Sequence, residues 1–134
     1  ERLQLELVGE PAALASFRQA LRRWLSEVGA VEQEINDITM ACNEACQNAI
    51  EHAYGLSPEP FDVELSRSDG DVVIAVRDRG GWREQVSEDR GRGLPLMRAL
   101  MDDVDVEQRP TGSTVVLRRA LGAARRRNGA RAKG

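Results

Sequence analysis

The chain has 134 residues, enough for one compact domain with a substantial core and no covalent staples. Its net charge is −3, but seven of its 19 cations follow position 117 and no acid follows Glu107, so residues 1–117 hold 12 cations against 22 acids, a balance of −10. That acidity argues against general phosphate-backbone binding, and no apolar run approaches the roughly 20 residues of a membrane span, so neither nucleic acid nor a membrane is expected as a partner.

Leu3, Leu5 and Leu7 alternate with Arg2, Gln4 and Glu6, the pattern of a half-buried strand. Pro11 opens a helix in which Leu14, Phe17, Leu21, Trp24, Leu25 and Val28 form one apolar face, and Gly29 ends it. A second helix is predicted from Val31 to Tyr54, with Ile35, Ile38, Cys42, Ala45 and Ala49 as its inward stripe. Its alanines let it lie close against a sheet or a ligand. Cys42 and Cys46 are not a Cys-x-x-Cys pair. They read as small, semi-buried residues of a reduced compartment, the cytoplasm.

Gly55, Pro58 and Pro60 make a loop. Phe61 to Arg67 and Val72 to Val76 read as strands of a hairpin turned by Asp69-Gly70, the second buried on both faces. Residues 78–93 lose all periodicity and carry Gly80, Gly81, Gly91 and Gly93, a loop long enough to be functional. Leu94, Met97, Leu100 and Met101 make a third helix. Val104 and Val106, then Thr114 to Leu117, read as two closing strands around Pro110-Thr111-Gly112. The order β-α-α-β-β-loop-α-β-β predicts an α/β two-layer sandwich with helices on one face. Residue 1 is Glu, so the chain is read as a candidate fragment of a longer protein. Residues 119–134, basic from Ala123 on, read as a flexible tail or interdomain linker.

Glu44 and Asn48 are one turn apart on the second helix and share a face. A carboxylate there can serve as general base, and a carboxamide oxygen can complete the shell of a magnesium ion that carries phosphates. Asp78 ends a buried strand, where it can accept from an exocyclic amine, with Gly80 letting a ligand approach the backbone. A strand-end Asp also commonly caps a turn. Gly91-Arg92-Gly93-Leu94 is placed just before a helix N-terminus, where amides and helix dipole suit a phosphate; a flexible hinge is the other reading. A Rossmann motif is excluded because position 96 is Leu and a long polar loop precedes the glycines. His52, the lone histidine, belongs to no evident nucleophile triad. The lone lysine is Lys133, so the core has no Walker or protein-kinase lysine. The ordered set reads as a nucleotide pocket without a Walker A sequence.

These residues resemble the boxes of the GHKL ATPases. The run from Asn43 to Tyr54 is similar to their N box, Asp78-Arg79-Gly80-Gly81 to the first glycine box, Gly91-Arg92-Gly93-Leu94 to the second, and Gly112-Ser113-Thr114-Val115 to the last. Order and spacing are most similar to the anti-sigma factor serine-protein kinases of bacterial partner-switching systems, over residues 1–118. The resemblance implies the Bergerat sandwich, with a mixed, mostly antiparallel sheet. It implies ATP and Mg²⁺ as cofactors, Glu44 as general base, Asn48 as magnesium ligand and Asp78 as reader of the adenine amino group. Gly80 would allow close approach, Gly91 and Gly93 would border the triphosphate with Leu94 in the same cofactor site, and Thr114 would line the adenine side; from their position in the lid, Arg90 or Arg92 is expected to supply side-chain charge. The implied partners are a STAS-type anti-anti-sigma protein as serine acceptor, a sigma factor, and a second copy paired through the first strand and first helix. Trp82 departs from the usual Asp-x-Gly-x-Gly. The short lid from Trp82 to Arg90 disfavours a sensor histidine kinase. The competing reading is a catalytically silent ATP/ADP-binding regulatory module in a larger signalling protein.

Overall fold

The computed structural model describes residues 2–52, 60–78, 87–109 and 112–122. In chain order these form β1 (Arg2–Leu7), α1 (Pro11–Glu27), α2 (Glu32–His52), β2 (Phe61–Ser68), β3 (Asp71–Asp78), α3 (Ser87–Leu100), β4 (Asp103–Arg109) and β5 (Gly112–Ala120). The five strands make one sheet in the order β1-β2-β3-β5-β4. All four described pairings are antiparallel, so the expected parallel component is missing among the described residues.

Local chemistry sets the corners. Pro11 starts α1, where its missing N–H costs nothing. Gly29, at φ 97°, ends it in a Schellman turn: its N–H donates to the Ser26 carbonyl and that of Ala30 to the Leu25 carbonyl. The buried Glu34 carboxylate reaches back to the Val31 N–H at 2.9 Å, closing one orphan donor before α2 begins. Asp69 and Gly70 both have positive φ, as a two-residue hairpin turn between β2 and β3 requires.

One face of the sheet packs on the helices. Phe61, Val63, Leu65, Val72, Ile74, Val76 and Leu117 are buried there against Leu21, Leu25, Ile38, Ala41, Cys42 and Cys46. The expected α2 stripe, Ile35, Ile38, Cys42, Ala45 and Ala49, is buried throughout. The other face is largely polar, and there β3 meets the expected burial on both faces only in part: Ala75 is buried and Val73 half-buried. No second layer among the described residues covers that side.

At the far end Arg119 ties three elements together. Its guanidinium pairs with Asp37 of α2 at 3.1 Å and donates to the last carbonyl of α3, Leu100, at 2.7 Å. The Cys42 thiol is held well above its usual range, first by its hydrogen bond to Cys46 and then by burial.

Candidate functional site

A narrow, largely apolar slot lies between α2, the middle of α3 and the strands β3, β4 and β5. Ala45 and Ala49 form one wall, Leu94, Val106 and Val115 the other, with Val76 between them. Two polar groups reach into this apolar slot. Asp78 is buried at the end of β3 and accepts from the Ser113 N–H at 3.2 Å and the Ser113 hydroxyl at 2.5 Å. Asn48 is 8% exposed, and its Nδ2 has no hydrogen-bond partner among the described residues. A buried amide with an unused donor is costly unless something fills the site.

Glu44 stands one turn from Asn48 on α2, half-buried beside the cleft-lining Asn48. Both side chains close on Gly93 of α3. A methyl group added at Gly93 would lie 3.1 Å from Asn48 Nδ2, 3.2 Å from Glu44 Oε1 and 3.5 Å from Met97 Cε. Only glycine lets α3 approach the two polar side chains this closely. Glu44, Asn48, Gly93, Leu94 and Asp78 are thereby brought together from three elements.

Two expectations change. Gly91, Arg92 and Gly93 do not precede a helix; α3 begins at Ser87, so their amides lie within it, and the free first-turn amides belong to residues 87–90. Gly91, Gly93 and Pro95 are poor helix residues, but close packing of Gly93 on α2 outweighs their poor propensity. Thr114 does not line the cleft. Side chains alternate along β5, and with Val115 and Leu117 inward it is Ser113 that faces Asp78, with Thr114 on the opposite face. Alternation is legible in Gly112-Ser113-Thr114-Val115, but the half of it that faces the cleft is set by the pairing of Ser113 with Asp78. Gly80, Trp82 and the tail from 123 lie outside the described residues, as do the side chains of His52, Arg90 and Arg92.

A slot with a buried carboxylate at its floor and a carboxylate–carboxamide pair beside it suits a flat, amine-bearing heterocycle that trails a charged group. An α/β sandwich carrying this site defines a class of nucleotide-binding domain. The model of the histidine kinase-like ATPase domain matches residues 7–119, and the chain belongs to that family. It is 32% identical to the serine-protein kinase RsbW of Bacillus pumilus, over 89% of this chain and 85% of the relative. It is 30% identical to the anti-sigma F factor of Pasteuria penetrans, over 86% and 87%. Among solved structures, that of the RsbU and RsbW domains of Rv1364c from Mycobacterium tuberculosis superposes with a TM-score of 0.75 at 30% identity, over 90% of this chain and 32% of that longer one. Within the family the chain is thus a protein-serine kinase of the GHKL anti-sigma factor group. No described helix is long and apolar enough to cross a membrane.

Proposed function

We propose that this protein transfers the γ-phosphoryl group of Mg·ATP to a serine of a STAS-type anti-anti-sigma protein, and that it sequesters a sigma factor until the unphosphorylated antagonist displaces it. The observation that carries this reading is the convergence of Glu44 and Asn48 on Gly93 above a cleft floored by Asp78.

The residues present fit the cofactors. The buried Asn48 Nδ2, with no hydrogen-bond partner among the described residues, can donate to a phosphate oxygen and leaves the carboxamide oxygen as the group that would hold Mg²⁺, and the apolar lining beside Asp78 matches a base ring with an exocyclic amine. Bound at Asn48, Mg²⁺ would supply charge neutralisation across the phosphates. Asp78, held in one rotamer by Ser113, accepts from the adenine amine, and Gly80 allows close approach there. Gly91 and Gly93 border the phosphates from α3, Leu94 lines the apolar slot for the base, and Arg90 or Arg92 supplies positive charge. Glu44 takes the proton of the attacking serine hydroxyl. Transfer of this kind depends on positioning and charge more than on covalent chemistry, which suits a domain with no core lysine. The expected domain boundary at residue 118 moves outward, because β5 runs to Ala120, Arg119 holds Asp37 and the Leu100 carbonyl, and Leu121 is buried in the core; the residues beyond are a tail or linker, a second copy pairs through β1 and α1, and the protein works in the cytoplasm.

Purified protein, labelled ATP, Mg²⁺ and STAS-type proteins of the same organism, with Glu44→Ala beside wild type, test the reading. Label on an acceptor serine in the wild type alone supports it; ATP binding with no transfer overturns it. That second outcome favours a silent regulatory module, a reading to which the similarity to part of a longer Mycobacterium tuberculosis chain lends weight.

A further inference from the structure

Among the described residues four large apolar side chains stand exposed: Val8, Val31, Met40 and Leu96. Single exposed apolar residues are ordinary, but two of these flank Glu44. Met40, 52% exposed, lies one turn before Glu44 on the same face of α2. Leu96, 37% exposed, lies one turn after Gly93, whose backbone rests against the Glu44 carboxylate. On the other side of Met40 two arginines of α1 reach α2, one of them paired with Glu32. Arg18 of α1 donates to Asn43 at 3.3 Å and Arg22 to Asn36 at 3.1 Å, so two guanidiniums lie along α2 about one turn to either side of Met40. In a domain that is otherwise strongly acidic, the rim of the site is an apolar patch edged by arginine.

We propose that the Met40–Leu96 patch is the docking surface for the phospho-acceptor protein, setting its serine hydroxyl against Glu44. This rests on the kinase reading above. The hydroxyl must come within roughly 2.6–3.2 Å of the Glu44 carboxylate to lose its proton there. A stable protein interface covers about 800 Å² on each partner, a disc of roughly 16 Å radius. One helical turn is about 5.4 Å, so a folded protein that reaches Glu44 also covers Met40 and Leu96. The acceptor therefore presents an apolar side chain beside its serine, where flexible Met40 adapts to its shape. It also presents an acidic group opposite Arg18, which exchanges the neutral Asn43 carboxamide for a carboxylate, whereas Arg22 already pairs with Glu32 at 3.6 Å. A sigma factor is the other candidate occupant, and the reach of Glu44 argues for the acceptor.

The test is the steady-state transfer of labelled phosphate from Mg·ATP to a purified STAS-type protein of the same organism. Met40→Gln and Leu96→Gln are compared with wild type, with Met40→Leu as the conservative variant and Val31→Gln as a distant control. Neutral glutamine is used because a new carboxylate one turn from Glu44 would disturb the base itself. The expected result is a KM for the acceptor raised fivefold or more by either glutamine, with kcat, ADP affinity and melting temperature unchanged, and with Met40→Leu and Val31→Gln within twofold of wild type. An unchanged KM in both glutamine variants overturns the docking surface and leaves the kinase reading standing. So does weakened sigma-factor capture at an unchanged acceptor KM, which assigns the patch to the sigma factor. An equal loss of ADP affinity overturns it too, since the patch would then be structural. A wild type that binds ATP but phosphorylates no STAS protein overturns both.

Discussion

Gly93→Ala separates the packing of α3 from the work of the site. Alanine favours a helix interior over glycine by about 1 kcal/mol, so the substitution by itself would stabilise α3. Against this, the new methyl would meet Asn48 Nδ2 at 3.1 Å and Glu44 Oε1 at 3.2 Å, a few tenths of an ångström too close. Glu44 is half-buried and can swing outward; Asn48 is buried and must shift or push α3 away. That strain costs about 1–3 kcal/mol, typical of added methylene groups in a packed site. The two terms nearly cancel, and the melting temperature should fall by no more than a few degrees. Function should respond far more, because a displacement of about 1 Å in a positioning group can cost 100-fold in rate. Single-turnover transfer of labelled phosphate to the acceptor is therefore expected to drop by ten- to 100-fold, with melting followed in parallel. Full transfer at an unchanged melting temperature would refute the reasoning, since Glu44 and Asn48 would then not depend on where α3 lies.

Ser113→Ala removes the hydroxyl bond to the Asp78 carboxylate and keeps the backbone one, so it should lower stability by about 1–2 kcal/mol. It should also weaken ADP binding severalfold, while Thr114→Ala leaves binding unchanged; calorimetry on both variants checks the assignment. Asp37→Ala leaves Arg119 without its carboxylate in a setting where the two side chains are 13% and 21% exposed, and urea titration should show a loss of about 1–3 kcal/mol. Burial and the Cys46 bond hold the Cys42 thiol protonated in the folded state, so the folded chain retains a proton that the unfolded chain gives up. Stability from this group should be constant below the unfolded thiol's pKa of about 8.5 and should fall as pH rises above it. Denaturation at a series of alkaline pH values checks this, and Cys42→Ala should flatten the trend.

Periodicity alone carried most of the fold. The three-four spacing in α1 and α2, the alternation in β1 and the Asp69-Gly70 turn are local signals, each set by a residue's own conformational preference or by which neighbours share its face. They placed the core stripe of α2 and the hairpin of β2 and β3. The spacing of Glu44 and Asn48 likewise showed that they share a helix face. Where preference and packing pull against each other, only the tertiary structure decided. Gly91, Gly93 and Pro95 weaken a helix, yet α3 runs through them from Ser87 because a glycine is what allows it to lie on Glu44 and Asn48. The choice between Ser113 and Thr114 turned on which face of β5 meets the helices, and that depends on its pairing with β3, 35 residues away in sequence at Asp78. A strand's alternation is written in its own residues, but which half of it faces the cleft is a property of the sheet.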